Sequence, residues 1–409
     1  MLTKKILLVF FLDAIRYDYI NSRDAPFINE MATNGISGPL KTILAFDGIA
    51  TTIFTGTYPN VHGVWTQHLH VSEQGSFDWV KPFSSLLDKT DQAIKHFNLL
   101  QKALRFAVLR LSLFRGRRSF YPGVTKVPFS VMGEFDFSIK RRLYEPNAFR
   151  PFPTMFDLMT RNGISFAVAD HPALGSDWKV VEKALRIKSA PDAVYLRFMD
   201  LDEISHNYGI HSLERLEGLR LVDIAVHTVT SHFERKGFDP FVVLFADHGV
   251  IEVKRRVDVI HEIHKNRLRE GKDFLVFLDS TMARFWAEES VLAKISDVLN
   301  HLGNGRVLTE IDLIKYHIPT SPQYGNLVYL VDPGTIILPN YYDGEEGVLG
   351  MHGYDPSTPG LDSILIMYNK KLQASKIPKA NMVDILPTIL DILGISQPQH
   401  CVGESKLVH

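Results

Sequence analysis

Short apolar runs alternate with amphipathic stretches along most of the chain, and this pattern predicts both strands and helices. Compact apolar runs bounded by turn residues are typical of buried strands, whereas apolar positions three and four residues apart are typical of helices. The predicted strands are Ile6–Leu12, Ser165–Ala169, Ala193–Met199, Phe241–Ala246, Phe274–Leu278, Leu327–Val331 and Ser363–Met367. The predicted helices are Phe27–Asn34, Thr154–Asn162, Asp177–Ile187, Ser212–Lys236, Ser290–His301 and Met382–Leu393.

This alternation predicts an α/β fold with a mostly parallel sheet flanked by helices. The first apolar run, Ile6–Leu12, follows two lysines and stops at Asp13 without a small-residue cleavage site. A buried parallel strand therefore explains it better than a signal peptide does. The sequence has no uninterrupted apolar run long enough to predict a membrane-spanning helix.

Two segments differ in composition from the rest and are predicted to be insertions. Up to Arg118, the first segment has basic residues and no acid, with Phe97, Leu100, Leu104, Val108 and Leu111 at helical spacing. We predict that residues 95–149 form a basic and aromatic cap inserted in a catalytic domain made of residues 1–94 and 150–409, with a second insertion at 251–346. The basic residues are Lys95, Lys102, Arg105, Arg110, Arg115, Arg117 and Arg118.

Two interpretations of the basic helix remain open. In the first, it packs its apolar stripe on the main domain and lines a cleft with positive charge. In the second, the cap also rests on a membrane surface or holds an anionic lipid-linked substrate, because a basic amphipathic helix is suited to the headgroup region of a bilayer.

Composition and charge narrow the possible chemistry. Hydrophobic residues make up 45% of the 409 residues, which is enough for a packed core and excludes long-range disorder. The 45 basic and 46 acidic residues nearly cancel, which argues against a nucleic acid polymer as the partner. The single cysteine, Cys401, excludes an intramolecular disulfide and a cysteine zinc ribbon. Metal chemistry must therefore use carboxylates and the 17 histidines.

Four motifs with acidic or histidine side chains stand just past predicted strands or in glycine-flanked loops. Taken singly, each has a structural explanation, such as a helix cap, a solvated surface or a loop histidine. Together they supply three carboxylates and three imidazoles at the kind of sheet edge where α/β proteins bind ligands. Such a set suits Zn²⁺ or Mn²⁺. The residues are Asp13, Asp202, His206, Asp247, His248 and His352.

The order of these motifs resembles the alkaline phosphatase superfamily, and most closely its type I phosphodiesterase/nucleotide pyrophosphatase branch. The family pattern also includes a Thr-Gly pair followed by Pro-x-x-His-Gly, which here is Thr55-Gly56 and Pro59 to Gly63. A late helix around Val383–Thr388 is similar to the C-terminal helix of the family. The resemblance covers residues 5–65, 150–250 and 345–396, and it implies an alkaline-phosphatase-like fold.

The resemblance implies two divalent cations, with zinc expected first and manganese second. One would be held by Asp13, Asp247 and His248, and the other by Asp202, His206 and His352. The implied function is a metal-dependent phosphohydrolase that cleaves a phosphodiester, pyrophosphate or phosphomonoester bond by a two-metal mechanism. Two alternatives remain: a phospho- or sulfo-transferase or mutase of the same superfamily, and a catalytically silent metal-binding homologue.

The expected nucleophile is missing from its position. The family normally has Thr or Ser at the start of the helix that leads into the Thr-Gly pair, but counting back reaches Phe46 or Asp47. We predict that Asp47 lies at the metal pair as a ligand or bridging group, with water activated by a metal as the substitute nucleophile. Thr51 carries a hydroxyl one turn further along the helix and is a further catalytic candidate. His62 is a candidate either for contact with substrate phosphate or for stabilising the turn in which it lies.

The expected substrate is a small phosphorylated compound or a lipid- or sugar-linked phosphate. The expected location is the cytoplasm, with peripheral contact to the inner face of a membrane as a further expectation. The sequence leaves the oligomeric state open.

Overall fold

The computed structural model describes residues 4–71, 75–115, 125–188 and 191–407, which fold into strands and helices in alternation. The strands are β1 (Lys4–Leu12), β2 (Ile36–Lys41), β3 (His68–His70), β4 (Phe135–Phe137), β5 (Phe166–Asp170), β6 (Ala193–Phe198), β7 (Phe238–Ala246), β8 (Ile251–Glu252), β9 (Arg255–Val257), β10 (Phe274–Leu278), β11 (Met282–Ala287), β12 (Gly305–Val307), β13 (Leu327–Val331), β14 (Thr335–Ile337), β15 (Gly350–Met351), β16 (Ser363–Tyr368), β17 (Ser375–Lys376) and β18 (Ala380–Asn381). The helices are α1 (Pro26–Asn34), α2 (Asp47–Thr55), α3 (Pro59–His62), α4 (Ser84–Ala93), α5 (Asn98–Arg115), α6 (Phe129–Met132), α7 (Met155–Arg161), α8 (His171–Leu174), α9 (Asp177–Leu185), α10 (Asp200–Tyr208), α11 (Leu213–Arg235), α12 (Val259–Lys265), α13 (Glu289–Leu302), α14 (Glu310–Lys315) and α15 (Ile385–Ile392).

The main sheet is mostly parallel, which confirms the predicted fold class. Its strand order is β17-β2-β16-β7-β1-β6-β5, and β18 also pairs with β2. The strands β7, β1, β6 and β5 run parallel to one another, whereas β16 is antiparallel to both of its neighbours. The central position of β1 explains why its sequence is a continuous apolar run, since both faces of such a strand are covered.

Two apolar cores cover the two faces of the main sheet. Successive side chains of a strand point to opposite faces, so β1 contributes to both cores in alternation. Leu7, Val9 and Phe11 lie in the core that includes α2 and α15. The intervening residues, such as Leu8 and Phe10, lie in the core that includes α9 and α11.

A third core lies in the segments predicted to be insertions. It joins residues of α5, such as Val108 and Leu113, to Phe129 and to Phe277 of β10. The predicted strands β10 and β13 are present, but they belong to a separate antiparallel sheet with the order β10-β11-β13-β12. The proposed domain boundaries stay a prediction.

The basic stretch is only partly a charged surface. Arg105 is buried and forms two contacts with the carboxylate of Asp91, Nε to Oδ1 at 3.1 Å and Nη2 to Oδ2 at 2.6 Å. Its Nη1 also donates to the carbonyls of Thr125 and Val127, each at 3.0 Å. Arg105 therefore connects α5 to α4 and to the chain before α6.

The predicted basic residues Arg117 and Arg118, with the aromatic segment around residues 120–123, lie outside the described residues. Among the helices in the described part of the chain, none has the length and apolar character that crossing a membrane requires.

Candidate active site

Three neighbouring strands bring the predicted ligands to one edge of the main sheet. Asp13 directly follows β1, and Asp247 and His248 directly follow β7. Asp202 lies in the first turn of α10, just after β6. Because β6, β1 and β7 are parallel neighbours, their carboxyl ends meet at the same edge.

His352 reaches the same edge by a different route. It follows the short strand β15, which pairs with β8 a few residues after His248. The ring of His352 stacks on the ring of His248, with centroids 3.7 Å apart and an interplanar angle of 11°. The pairing of β15 with β8 therefore places His352, which comes much later in the chain, at the carboxyl ends of β1 and β7.

The ligand atoms form two adjoining groups that share His248. Atoms of Asp13, Asp247 and His248 lie within 4.8 Å of one another, and so do atoms of Asp202, His248 and His352. His248 Nε2 is 3.4 Å from Asp13 Oδ1 and 3.7 Å from Asp247 Oδ2. The first group is the set that the resemblance implied for one cation. In the second group, His248 stands where the resemblance implied His206.

His206 is placed beside Asp202 and held by the backbone. Its Nε2 is 3.3 Å from Asp202 Oδ2, and its Nδ1 is 2.8 Å from the carbonyl oxygen of Gly350. A carbonyl can only accept, so Nδ1 carries the proton and Nε2 is directed towards Asp202. Metal-ligating histidines commonly donate their second N–H to a carbonyl in this way.

The carboxylates perturb one another because they are buried together. Burial, followed by the charges of Asp247 and Asp202, raises the pKa of Asp13 well above its usual value. Burial raises the pKa of Asp247 to about 6. Burial alone would also raise the pKa of Asp202, but the neighbouring His206 reverses this and lowers it, while Asp202 in turn raises the pKa of His206 to about 9. This concentration of negative charge is the electrostatic environment that a divalent cation neutralises.

Two unsatisfied oxygens support the same conclusion. Oδ1 of Asp202 and Oδ2 of Asp47 are buried without a hydrogen-bond partner among the described residues. Buried polar atoms are normally partnered, so the unpartnered oxygen of Asp202, which belongs to a group with His248 and His352, fits a site for a cation. Carboxylate and imidazole together form a donor set that fits zinc or manganese.

Asp47 and Phe46 both line the cleft at the start of α2. Asp47 is the first residue of this helix, and burial raises its pKa to about 6. Phe46 occupies the preceding capping position, and its ring lies 5.6 Å from that of His352. The two residues reached by counting back from Thr55-Gly56 therefore both lie at the site, and neither carries a hydroxyl.

Thr51 and His62 make contacts away from the cleft. The hydroxyl of Thr51 donates to the carbonyl of Asp47 at 3.2 Å, inside the helix. His62 Nε2 lies 2.9 Å from the hydroxyl of Thr52, and its Nδ1 accepts from the backbone N–H of Val64 at 3.1 Å. Burial lowers the pKa of His62 to about 3, so the imidazole is neutral. These contacts give both residues a structural role, and their catalytic assignments stay predictions.

Arg197 is a site residue that sequence reasoning missed. It comes from β6, where its guanidinium lies 4.7 Å from the ring centroid of Phe11 and its Nη2 is 3.5 Å from Asp13 Oδ2. A single arginine in the otherwise apolar run Ala193–Met199 was the available signal, because a charge in a buried strand needs partners.

The site opens into a cleft of about 520 Å³ and a smaller side cavity of about 100 Å³. Gln67, Ser280, Tyr342 and Asp343 line the cleft together with the ligands, and none of them was predicted. The side cavity is lined by aromatic and basic residues and shares Phe46, Asp47, Arg197 and Asp247 with the cleft. No described residue of α5 lines either space.

Comparisons with known proteins agree with this architecture. A sequence model of the family described as type I phosphodiesterase/nucleotide pyrophosphatase matches residues 7–355. Human ectonucleotide pyrophosphatase/phosphodiesterase 5 is similar in structure, with a TM-score of 0.68, 16% identity and coverage of 97% of this chain and 96% of that chain. An inactive threonine-to-alanine variant of the murine protein, in complex with AMP, gives a TM-score of 0.69 at 16% identity with the same coverage. This likeness confirms the alkaline-phosphatase-like fold.

Proposed function

Because the chain belongs to the type I phosphodiesterase/nucleotide pyrophosphatase family and is a hydrolase of phosphoric ester bonds, we propose that it cleaves phosphodiester or pyrophosphate bonds with the help of two divalent cations. The observation that carries this proposal is the pair of adjoining ligand groups sharing His248. Two cations bound side by side can act on the entering and the leaving oxygen of one phosphoryl group.

The residues proposed to hold the cations are the six predicted ligands, with Asp47 as a further ligand or bridging group. When bound, such cations polarise the phosphoryl oxygens and neutralise charge as the ester bond breaks. Zinc is the first choice and manganese the second, because the donors are imidazoles and carboxylates. The ligands are Asp13, Asp202, His206, Asp247, His248 and His352.

The protein's own residues position the substrate and its protons. Arg197, held between Phe11 and Asp13, presents a permanent positive charge where the cleft and the side cavity meet, and we assign it to binding the phosphoryl group. Nδ1 of His206 donates its proton to the carbonyl of Gly350, so Nε2 is the nitrogen that would face a cation. The attacking oxygen comes from water, because the hydroxyl of Thr51 is bonded inside its helix.

The side cavity is proposed to take the part of the substrate beyond the reacting phosphate. Phe54, Tyr144 and Tyr195 offer apolar and aromatic surface there, and Arg141 and Arg142 offer positive charge. Such a lining suits a phosphate ester that combines a flat or apolar group with further negative charge. The structure of the inactive murine relative is a complex with AMP, which belongs to this class.

One alternative has a specific observation in its favour. Phe46 and Asp47 occupy the start of α2, where the family normally has a hydroxyl, and neither carries one, as expected of a catalytically silent metal-binding homologue. Against it, all six ligand residues are present and converge, although a silent scaffold needs none of them. Transferase or mutase activity remains the other alternative within the superfamily.

Turnover of an aryl phosphodiester tests the proposal. The protein, stripped of metal and then supplied with Zn²⁺ or Mn²⁺, should release the aryl alcohol, and an aryl phosphomonoester assayed in parallel defines the preferred bond. His352→Ala should lose turnover, whereas His261→Ala, on an exposed residue of α12, should retain it. Metal binding without turnover of either ester would instead establish the silent homologue.

A further inference from the structure

The outward face of α5 is an exposed apolar surface. Leu99 and Phe114 are 82% and 83% exposed, and Leu100, Phe106 and Leu111 are 55%, 50% and 41% exposed. Single exposed apolar side chains are ordinary, but contiguous apolar patches commonly mark an interaction site. Five exposed apolar side chains on one helix therefore indicate a binding surface.

The helix has two distinct faces. Its buried side contacts the third core through Arg105, Val108, Leu109, Ser112 and Leu113. At 100° per residue, Leu99, Ala103, Arg110 and Phe114 project away from this side, and Phe106 lies at the edge between the two faces. The other exposed side chains are Asn98, Leu100, Lys102, Ala107, Leu111 and Arg115. The exposed face of α5 is therefore apolar with three cations and has no carboxylate.

The nearby acids of α4 are turned towards the protein. Both oxygens of Asp88 accept from the backbone N–H groups of Phe129 and Ser130. Asp91 is bound to Arg105. On the face itself, the guanidinium of Arg110 lies 5.7 Å from the ring centroid of Phe106. The positive charge of this face is thus not offset by these two acids of α4.

We propose that the exposed face of α5 docks on an anionic lipid surface. The apolar side chains would enter the boundary between headgroups and acyl chains, and the cations would contact lipid phosphates. Lys and Arg side chains can keep their charges among the headgroups while their stems lie along apolar surface. The apolar side chains match the interior of a bilayer, and the cations match its negatively charged headgroups. The proposal does not depend on the hydrolase activity.

A second copy of the chain is a poorer occupant. A symmetric contact buries the same patch on both molecules, so a face that carries Lys102, Arg110 and Arg115 would meet a face with the same three cations. Like charges brought together at an interface disfavour association. Charge complementarity therefore favours the lipid.

Sedimentation with vesicles tests the proposal on the full chain. The protein should pellet with phosphatidylcholine vesicles that contain phosphatidylglycerol at low salt, and high salt or pure phosphatidylcholine should release most of it. Phe106→Ser with Phe114→Ser should weaken binding at least about tenfold, as expected for losing two inserted aromatic side chains. Lys102→Gln with Arg110→Gln should weaken binding mainly to the anionic vesicles.

A matched control comes from α14, where Ile311 and Ile314 are 78% and 74% exposed. Ile311→Ser with Ile314→Ser should bind vesicles as the wild type does. Circular dichroism and turnover with a soluble ester verify that each variant is folded. If the wild type stays in the supernatant at low salt, or the α14 variant loses as much binding as the α5 variant, the proposal fails. A dimer in light scattering that Phe106→Ser and Phe114→Ser dissociate would assign the face to a second copy instead.

Discussion

Asp47 is the residue whose role most distinguishes this chain from its family. Asp47→Asn keeps the size of the side chain but removes its charge, so turnover of an aryl phosphodiester should fall at least about 100-fold. Thr51→Val removes a hydroxyl that only bonds the helix interior, so it should leave turnover nearly unchanged. Steady-state kinetics of the two variants, each shown to be folded, make the comparison. If Thr51→Val is the inactive variant, the nucleophile is a threonine and the assignment of Asp47 is wrong.

At the scale of single residues, the sequence revealed those site residues whose side chains differ in polarity from the residues just before them. Asp13, Asp247 and His248 stand out because each directly ends an apolar run. Arg197 was missed because its role depends on register: it pairs with Phe11 in β1, two residues before Asp13. A contact made between strands far apart in the chain leaves no spacing pattern to detect.

At the scale of elements, the bounds that were predicted agree with the structure to within three residues, because those strands and helices carry clear periodicity and caps. Ser212, for example, accepts from the N–H of Arg215 and starts α11 as predicted. The strand β2 was missed because Gly38 and Pro39 are typical of loops. A Cβ on Gly38 would lie 2.1 Å from the carbonyl oxygen of Ile377, so this close approach accounts for the glycine.

The attachment of α5 can be tested through Arg105. Arg105→Met removes the cation that neutralises the buried Asp91 carboxylate and leaves it only the amide of Gln101, so the free energy of unfolding should fall by about 3–5 kcal/mol. Urea unfolding measures the change. Arg110→Met, on the exposed face of the same helix, is the control and should change stability by at most about 0.5 kcal/mol. Adding Asp91→Leu to Arg105→Met should restore part of the loss. An Arg105→Met protein as stable as the wild type would refute the structural role.

At the scale of the whole molecule, protons and cations should each stabilise the folded state, and they should compete for the same carboxylates. Without metal, burial raises the pKa values of Asp47 and Asp247 from 3.8 to about 6. The folded state therefore holds more protons than the unfolded state in this window, and the metal-free protein should lose stability as pH rises through about 6. Above about pH 6, bound cations would neutralise the carboxylates of Asp47 and Asp247 in place of the lost protons.

Thermal unfolding of the metal-free protein with and without Zn²⁺ checks this expectation. Near pH 7.5, Zn²⁺ at 100 times its Kd should raise Tm by about 3 °C for a chain of this length. Near pH 5 the increase should be smaller, because protons compete for the same carboxylates. The variant His352→Ala should show a reduced increase at the higher pH. An equal shift at both pH values, or none, would contradict the proposed ligand set.

The central place of β1 in the sheet has a consequence for how the protein is made. The strand β1 ends at Leu12, and its two neighbours, β6 and β7, begin only at Ala193 and Phe238, so β1 leaves the ribosome long before either native partner exists. His352 emerges later still. During synthesis an apolar strand is thus exposed to the cell well before it can be covered, and a nascent chain of this kind is a natural client for chaperones. The proposed cation site therefore cannot be complete until His352 has been synthesised.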